Sequence, residues 1–378
     1  MADTILILGN GFDLAMGRKT SYKDFLEFAE KLFPIPDKEY ENFLTKHKIS
    51  TEKYEDNLYL RYIREKRTTL GENWSNLEIM ISQLAEAIDY FKSNTNLLYD
   101  NDLNKPYALF IQMLQDHRLV TESNSVAKSY IAEIFLELFD KQRWNNLERD
   151  EALNQFNDIF IEHLYLLTEL LEIYLTYVEE FEINPDKFQQ TALNAISDIK
   201  NSYVINFNYT HTLNGLFNIP IEKTHFIHGE INLERSDYEI NTMVFGIEDK
   251  STEINSDLMP YQKFYQRVVK ETGNKYEKFF IDRSKDIWGS SPLLNIVVFG
   301  HSVDPLDKEI FRKCFDLLKD SSDYRFIFTY YDDPTKRSII KNLAIILGKD
   351  RLVELTGQRK VVFVKSEDVG GMSRVLLE

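Results

Sequence analysis

The strand-like run at Thr4–Leu8 has no successor until Tyr203–Phe207, and what lies between them carries helical periodicity almost throughout. That gap constrains the fold more than any other feature of the chain. Further β-rich runs follow at Thr224–Ile227, Thr242–Phe245, Leu294–Phe299, Arg325–Tyr331 and Val361–Val364, several of them apolar nearly without interruption, as suits strands covered on both faces. Capped helices separate the later runs. Asp304-Pro305 opens one, with Asp307 in its acidic first turn and Phe311, Cys314, Phe315 and Leu318 on one stripe; Asp333-Pro334 opens another that stops before Gly348. Strand alternating with helix predicts an α/β fold with a parallel sheet. A gap too long for one crossover helix predicts a large all-helical insertion after the first strand-helix unit.

The insertion is expected over residues 21–200, with apolar stripes at Leu77, Met80, Ile81, Leu84, Ala85 and Ile88, around Tyr130–Leu138, and from Phe156 to Leu175. A smaller, charged and mostly helical insertion is expected over 251–289. Residues 1–20 and 201–378 then form the α/β domain. Hydrophobic residues make up 43% of the 378, with 26 Phe and 21 Tyr, enough to bury a sizeable core. The balance of 45 basic against 61 acidic residues, −16, opposes attraction to a polyphosphate backbone and disfavours free nucleic acid as a partner. Ile5–Leu8 is too short for a signal sequence or a membrane span, and no later run approaches about 18 apolar residues, so a cytoplasmic protein without a membrane partner is expected. The lone Cys314 excludes an intrachain disulfide framework and a four-thiolate zinc site, and its apolar stripe marks it as a core residue.

Four segments carry the candidate chemistry. Gly9-Asn10-Gly11-Phe12-Asp13 follows a buried-type strand and precedes a helix, where glycines let a phosphate approach the backbone or simply make a tight turn. Asn206-Phe207-Asn208-Tyr209-Thr210 ends an apolar strand, and its carboxamides either meet a ligand at the carboxyl edge of the sheet or cap the next helix. In Thr224-His225-Phe226-Ile227-His228-Gly229 the histidines, three apart, point to opposite strand faces, which argues against a shared metal; His228, beside a glycine, is the candidate general base. Phe299-Gly300-His301-Ser302-Val303-Asp304 repeats the strand-turn-helix context, with Gly300 and Ser302 the better ligand candidates and Asp304 also explained as a helix cap. Glu78 reads first as part of a helix start at Ser75-Asn76-Leu77-Glu78, and Arg18, Lys19 and Lys23 read as a solvated basic face.

In order and content these segments resemble the bacteriophage abortive infection AbiH family. Its GNGFDLA-type signature and T-S-Y-x-D-F stretch match Gly9–Ala15 and Thr20–Phe25, and its FNYT, H-x-HG and FGHS-x-D signatures are similar to Phe207–Thr210, His225–Gly229 and Phe299–Asp304. The two histidines here are three apart, and Trp74–Glu78 resembles the family within the insertion. The family in turn looks like a distant relative of the sirtuin-like NAD-binding fold, whose TTNYD-type motif falls on Asn206–Thr210, with Phe207 for a small polar residue and Thr210 for the aspartate.

That resemblance implies a Rossmann-like (sirtuin-like) sheet and a catalytic pair, Asn208 and His228. It also implies a nucleotide site made of Gly9, Asn10, Gly11, Phe12, Asp13, Asn206, Tyr209, Gly300, His301, Ser302 and Asp304. The implied activity is hydrolysis of NAD or a related nucleotide at the nicotinamide-ribose bond in phage defence, with NAD as substrate or ligand and no metal. Expected partners are a small nucleotide and either a second copy of the chain or a phage-derived trigger. A non-catalytic nucleotide sensor is the alternative, and a nuclease-type toxin the third.

Overall fold

The structure, a computed structural model, describes residues 3–33, 35–66, 74–94, 125–138, 149–181, 190–236, 238–247, 257–281 and 292–378. Its strands are β1 Asp3–Leu8, β2 Tyr203–Asn206, β3 Thr224–Phe226, β4 Leu294–Phe299, β5 Tyr324–Tyr330 and β6 Val361–Lys365. They form one all-parallel sheet in the order β3-β2-β1-β4-β5-β6. Ile7 faces Ile205 on one side and Val298 on the other, so the strand isolated at the start of the sequence lies in the middle of the sheet.

The helices, in chain order, are α1 Gly11–Ala15, α2 Tyr22–Leu32, α3 Lys38–Lys46, α4 Glu52–Glu55, α5 Leu58–Lys66, α6 Trp74–Asn94, α7 Ser125–Leu138 and α8 Arg149–Phe181. After β2 come α9 Thr212–Phe217, α10 Lys263–Val269, α11 Tyr276–Phe279, α12 Lys308–Leu317, α13 Asp333–Leu347, α14 Lys349–Gly357 and α15 Val369–Leu377. None among the described residues is long and apolar enough to cross a membrane.

The chain divides into two compact units. The sheet unit is Met1–Asp24, Glu172–Met243 and Lys270–Glu378; the helical unit is Phe25–Leu171 and Val244–Val269. Relative to the boundaries expected at 20/21 and 200/201, the sheet unit also takes in residues 21–24 and 172–200, among them the last turns of α8. The reason is polar. Tyr174 donates to the Lys19 carbonyl at 2.5 Å, Arg18 donates to the Val178 carbonyl, and buried Glu172 accepts from the Asn232 amide at 2.9 Å and the Arg235 guanidinium. Of the smaller expected insertion, residues 251–256 and 282–289 lie outside the described residues, and the rest is shared between the two units.

Alternation along the strands builds two cores in the sheet unit. Ile5, Ile7, Ile296, Val298 and Phe326 face α12 and α13, joining Phe311, Phe315 and Leu343. Leu6, Leu8, Val297 and Phe299 face the other way, toward Phe12, Leu193, Leu213 and Met372. Both faces are therefore dry, which is why these runs are apolar at nearly every position. Cys314 is fully buried in the first core, and burial pushes its thiol well up.

One expected strand is absent. Thr242–Phe245 is irregular although Met243, Val244 and Phe245 are buried. Its backbone is satisfied by side chains instead of a ladder: Asn241 accepts from the Met243 amide, Lys270 donates to the Met243 carbonyl, and Gln266 pairs with both the amide and the carbonyl of Phe245.

The predicted helical stripes are buried apart from the half-buried Leu138, Ile159 and His163, and Phe156 stands edge-on to Phe135 and Phe160 at ring separations of 5.2 and 5.1 Å. Asn57 caps α5 by accepting from the amides of Tyr59 and Leu60, both at 3.1 Å. The side chains of Trp74, Ser75 and Asn76 lie outside the described residues; Glu78 forms an ion pair with the largely buried Lys263 at 3.0 Å.

Candidate active site

The candidate residues gather at the carboxyl edge of the sheet, where the strand order reverses between β1 and β4 and open α/β sheets present their ligand crevice. The turns after these two strands interlock. Gly9 donates to the Phe299 carbonyl at 3.0 Å and Gly11 to the Gly300 carbonyl at 2.8 Å. A Cβ on Gly9 would stand 2.7 Å from the Gly300 oxygen, and one on Gly11 2.8 Å from the Gly300 Cα. Gly300 itself has φ +67 and would clash with the Phe12 nitrogen at 2.2 Å. Both glycine amides and the space beside both Cα atoms are thus taken by the neighbouring turn. Asn10 is turned to Thr20, donating to its carbonyl at 3.0 Å and accepting from its hydroxyl at 2.7 Å.

A second network follows β2. Asn206 donates to the Thr210 carbonyl at 3.1 Å and accepts from the Asn208 amide at 3.0 Å, closing the turn; Asn208 donates its carboxamide to the Gly9 carbonyl at 3.1 Å. Thr210 donates to Asp13 at 2.5 Å. Asp13 is 1% exposed, and burial raises its pKa to about 6 against the opposing Thr210 bond and Arg18 charge. Phe12 is in the core, edge-on to Phe299 at 5.9 Å. Arg18, expected in solvent, is 5% exposed, because its guanidinium reaches the Val178 carbonyl on α8; Lys19 and Lys23 are exposed as expected.

His211 joins this edge to α8. Burial opposes its charge, yet bonds to Glu179 at 3.0 Å and Glu230 at 2.7 Å outweigh that and push its pKa up to about 9.

A third cluster is built around Asp307. Asp307, at the entry to α12, presents Oδ1 to Nε2 of His228 at 3.2 Å and Oδ2 to Nε2 of His301 at 3.6 Å. His228 and His301 are each 8% exposed. Nδ1 of His301 accepts from the Val303 amide at 2.8 Å, which fixes its tautomer and directs Nε2–H at the carboxylate. Phe207 forms an aromatic wall, edge-on to His301 at 4.3 Å and to His228 at 5.5 Å, and stacked on Phe311 at 5.8 Å. Val303 is buried with φ +56, a left-handed conformation costly for a β-branched residue and of a kind that concentrates at functional sites.

His225 does leave on the opposite course, bonding the Thr272 carbonyl and the Tyr276 amide and stacking on Tyr276. Tyr209 is half-buried and accepts from the Ile231 amide; Ser302 is exposed and accepts through its carbonyl from Asn342; Asp304 caps the Leu306 amide at 3.0 Å.

The family model for bacteriophage abortive infection AbiH matches residues 5–330. The chain belongs to the AbiH family. Among curated proteins, none matches it. The AbiH match runs from within β1 to the end of β5, and takes in all three networks at the carboxyl edge.

Asp307 is the functional candidate that sequence reasoning missed. An aspartate three residues after Asp304-Pro305 is fully explained as first-turn acid, and only the coincidence of two strand-end histidines hinted at a shared carboxylate. Phe207, which stands where the sirtuin-like motif has a small polar residue, is the wall of this cluster. Among the described residues no group of three or more His, Cys, Asp or Glu is arranged to hold a metal ion; the imidazole nitrogens here face the carboxylate oxygens themselves.

Proposed function

We propose that this AbiH-family chain acts in the cytoplasm, in phage abortive infection, as a hydrolase of NAD or a related nucleotide at the nicotinamide-ribose bond. The observation that carries the reading is Asp307 holding His228 at 3.2 Å in a largely buried, aromatic-walled turn at the carboxyl edge. Support comes also from the strand order, which is that of Rossmann-like dinucleotide-binding sheets. The glycine turn offers a pyrophosphate neither glycine amide, since both bond to carbonyls of the turn after β4. The reading therefore rests on the histidines.

With Nε2–H directed at Asp307, Nδ1 is the basic nitrogen of a neutral His228. In the proposed step it takes the proton of a water whose oxygen bonds to the ribose carbon, while the electron pair of the breaking bond leaves with the pyridine nitrogen. Asp307 stabilises the imidazolium that forms, an orienting and electrostatic role. His301 steadies the carboxylate from its other oxygen. Asn208, assigned to the water or ribose by resemblance, spends its carboxamide on Gly9 and acts here as a positioning residue for the turn.

Nicotinamide release is the test, run with lysate of phage-infected cells to supply any trigger. His228→Ala should lower turnover at least about 100-fold and Asp307→Asn about 10- to 100-fold, with His225→Ala affecting melting more than turnover. Full turnover by folded His228→Ala would sink the mechanism. The engagement of Asn208 and of the glycine turn favours a second reading, a nucleotide sensor, for which binding without turnover in wild type is the signature.

A further inference from the structure

The amino-terminal edge of the same sheet carries a cavity of about 650 Å³ that the proposed reaction does not use. That volume is in the range of small-molecule sites. Its walls belong wholly to the sheet unit: the start of β1, the segment leading into β2, β4 and α15.

Asn295 is the anomaly at its base. It pairs in register with Thr4 on one side and Arg325 on the other, and strand alternation puts it on the same face as Val297 and Phe299, where an apolar residue is expected. It is 1% exposed, and its Oδ1 has no hydrogen-bond partner. Oγ of Ser202, 3% exposed and lining the same cavity, likewise has none. A buried polar atom left unsatisfied is destabilising, so both call for a partner. The neighbouring guanidinium does not supply it, because Arg325 donates to the Val375 carbonyl.

The rest of the lining defines the donor. Asp3 and Asp198 bring carboxylates, no Lys, Arg or His is present, and Ile196 and Leu376 add apolar surface. Acceptors without basic residues, beside a wall suited to methylene groups, match a cation on a short hydrocarbon chain. We propose that this cavity binds a small aliphatic amine. Its ammonium group, with three donors, bonds to Asn295 Oδ1, Ser202 Oγ and the Asp3 carboxylate, while its methylenes lie against Ile196 and Leu376.

Titration calorimetry of the full chain with 1,4-diaminobutane tests this, at about 0.15 M salt so that unspecific attraction to the acidic surface is screened. Saturable one-to-one binding is expected, weakened at least tenfold by Asp3→Asn and by Ser202→Ala, and abolished by Leu376→Lys, which brings an ammonium group from α15. 1,4-Butanediol should bind at least tenfold more weakly than the diamine. Asp350→Asn, an exposed acid on α14, should change nothing. The proposal is overturned if wild type shows no saturable binding, if the diol binds as tightly as the diamine, or if Asp350→Asn weakens binding as much as Asp3→Asn. Unchanged affinity in Leu376→Lys with a wild-type melting curve would also overturn it; should that variant not fold, unchanged affinity in Ser202→Ala, which loses only a hydroxyl, is equally decisive.

Discussion

Asp13 is a carboxyl group almost wholly removed from water, holding one hydrogen bond from Thr210 and lying in the field of Arg18. Desolvation wins, and its pKa rises from 3.8 to about 6. A raised carboxyl pKa means the folded state prefers the protonated form, so its stabilising effect is complete below pH 3.8 and is lost as pH climbs through about 6. At about 1.4 kcal/mol per unit the swing is on the order of 3 kcal/mol. Asp13→Asn keeps an acceptor for Thr210 and removes the titration. Urea unfolding between pH 4 and 7.5 should therefore show wild type losing stability relative to Asp13→Asn as pH rises, the other titrating groups being common to both proteins. Parallel profiles would mean that the Asp13 carboxyl is not shifted. At the same scale Asp307 shows how a residue with a sufficient local explanation conceals a long-range one: the capping rule accounts for its presence, and only the folded chain brings it to His228 and His301.

The turns after β1 and β4 depend on what three glycines lack. Gly11→Ala and Gly300→Ala each drive a methyl group into the backbone of the facing turn, the second with a positive φ as well, and each is expected to cost about 1–3 kcal/mol in chemical denaturation. Gly215, in α9, has nothing within 4 Å of its would-be Cβ, so Gly215→Ala should be neutral or stabilise by up to about 1 kcal/mol. If all three behave alike, the interlocked turns carry no energy. The contrast also marks what was legible. Strand runs covered on two faces announce themselves, which is why β1, β2, β4, β5 and β6 could be read directly; α12 and α13 also lie where their Asp-Pro openings put them, but Asp304 caps the short turn before α12, and the residue that caps α13 is Asp332, one before the expected Asp333. Thr242–Phe245 carries the same apolar signature, but hydropathy reports burial and not a ladder, and nothing local foretells that Gln266 and Lys270 will satisfy its backbone. The glycines were legible as special positions, whereas the identity of the close neighbour, Gly300, required residues almost 300 apart to be brought together. Arg18 is buried although its surroundings in sequence are those of a solvated face, because its charge is met by a carbonyl of α8 that no pattern near Arg18 encodes.

Three stretches of chain make the sheet unit, and the shortest of them, Met1–Asp24, supplies the strand on which the others depend. β1 lies between β2 and β4, and its Ile5, Leu6, Ile7 and Leu8 are no more than 1% exposed, two of them in each core. At about 1.5–3 kcal/mol per buried aliphatic side chain, these four contribute on the order of 6–12 kcal/mol, comparable with the roughly 5–15 kcal/mol by which a folded domain exceeds its unfolded chain. Losing β1 also leaves the facing edges of β2 and β4 unpaired, and removes the Gly9 carbonyl that holds Asn208 and the Gly11 amide that holds the Gly300 turn. A chain beginning at residue 25 should therefore lack a cooperative transition for the sheet unit, read as loss of near-ultraviolet circular dichroism from its aromatic core and of amide protection in β2 and β4. A peptide of residues 1–24, added in trans, should restore part of that protection, because both the partner edges and both cores wait for the same four side chains. Protection in β4 at the full-length level without the peptide would show that the sheet closes on its own. The first strand would then be an addition to the fold rather than its centre, and the interlocked turns at the carboxyl edge would have to be held by β4 and its helices alone.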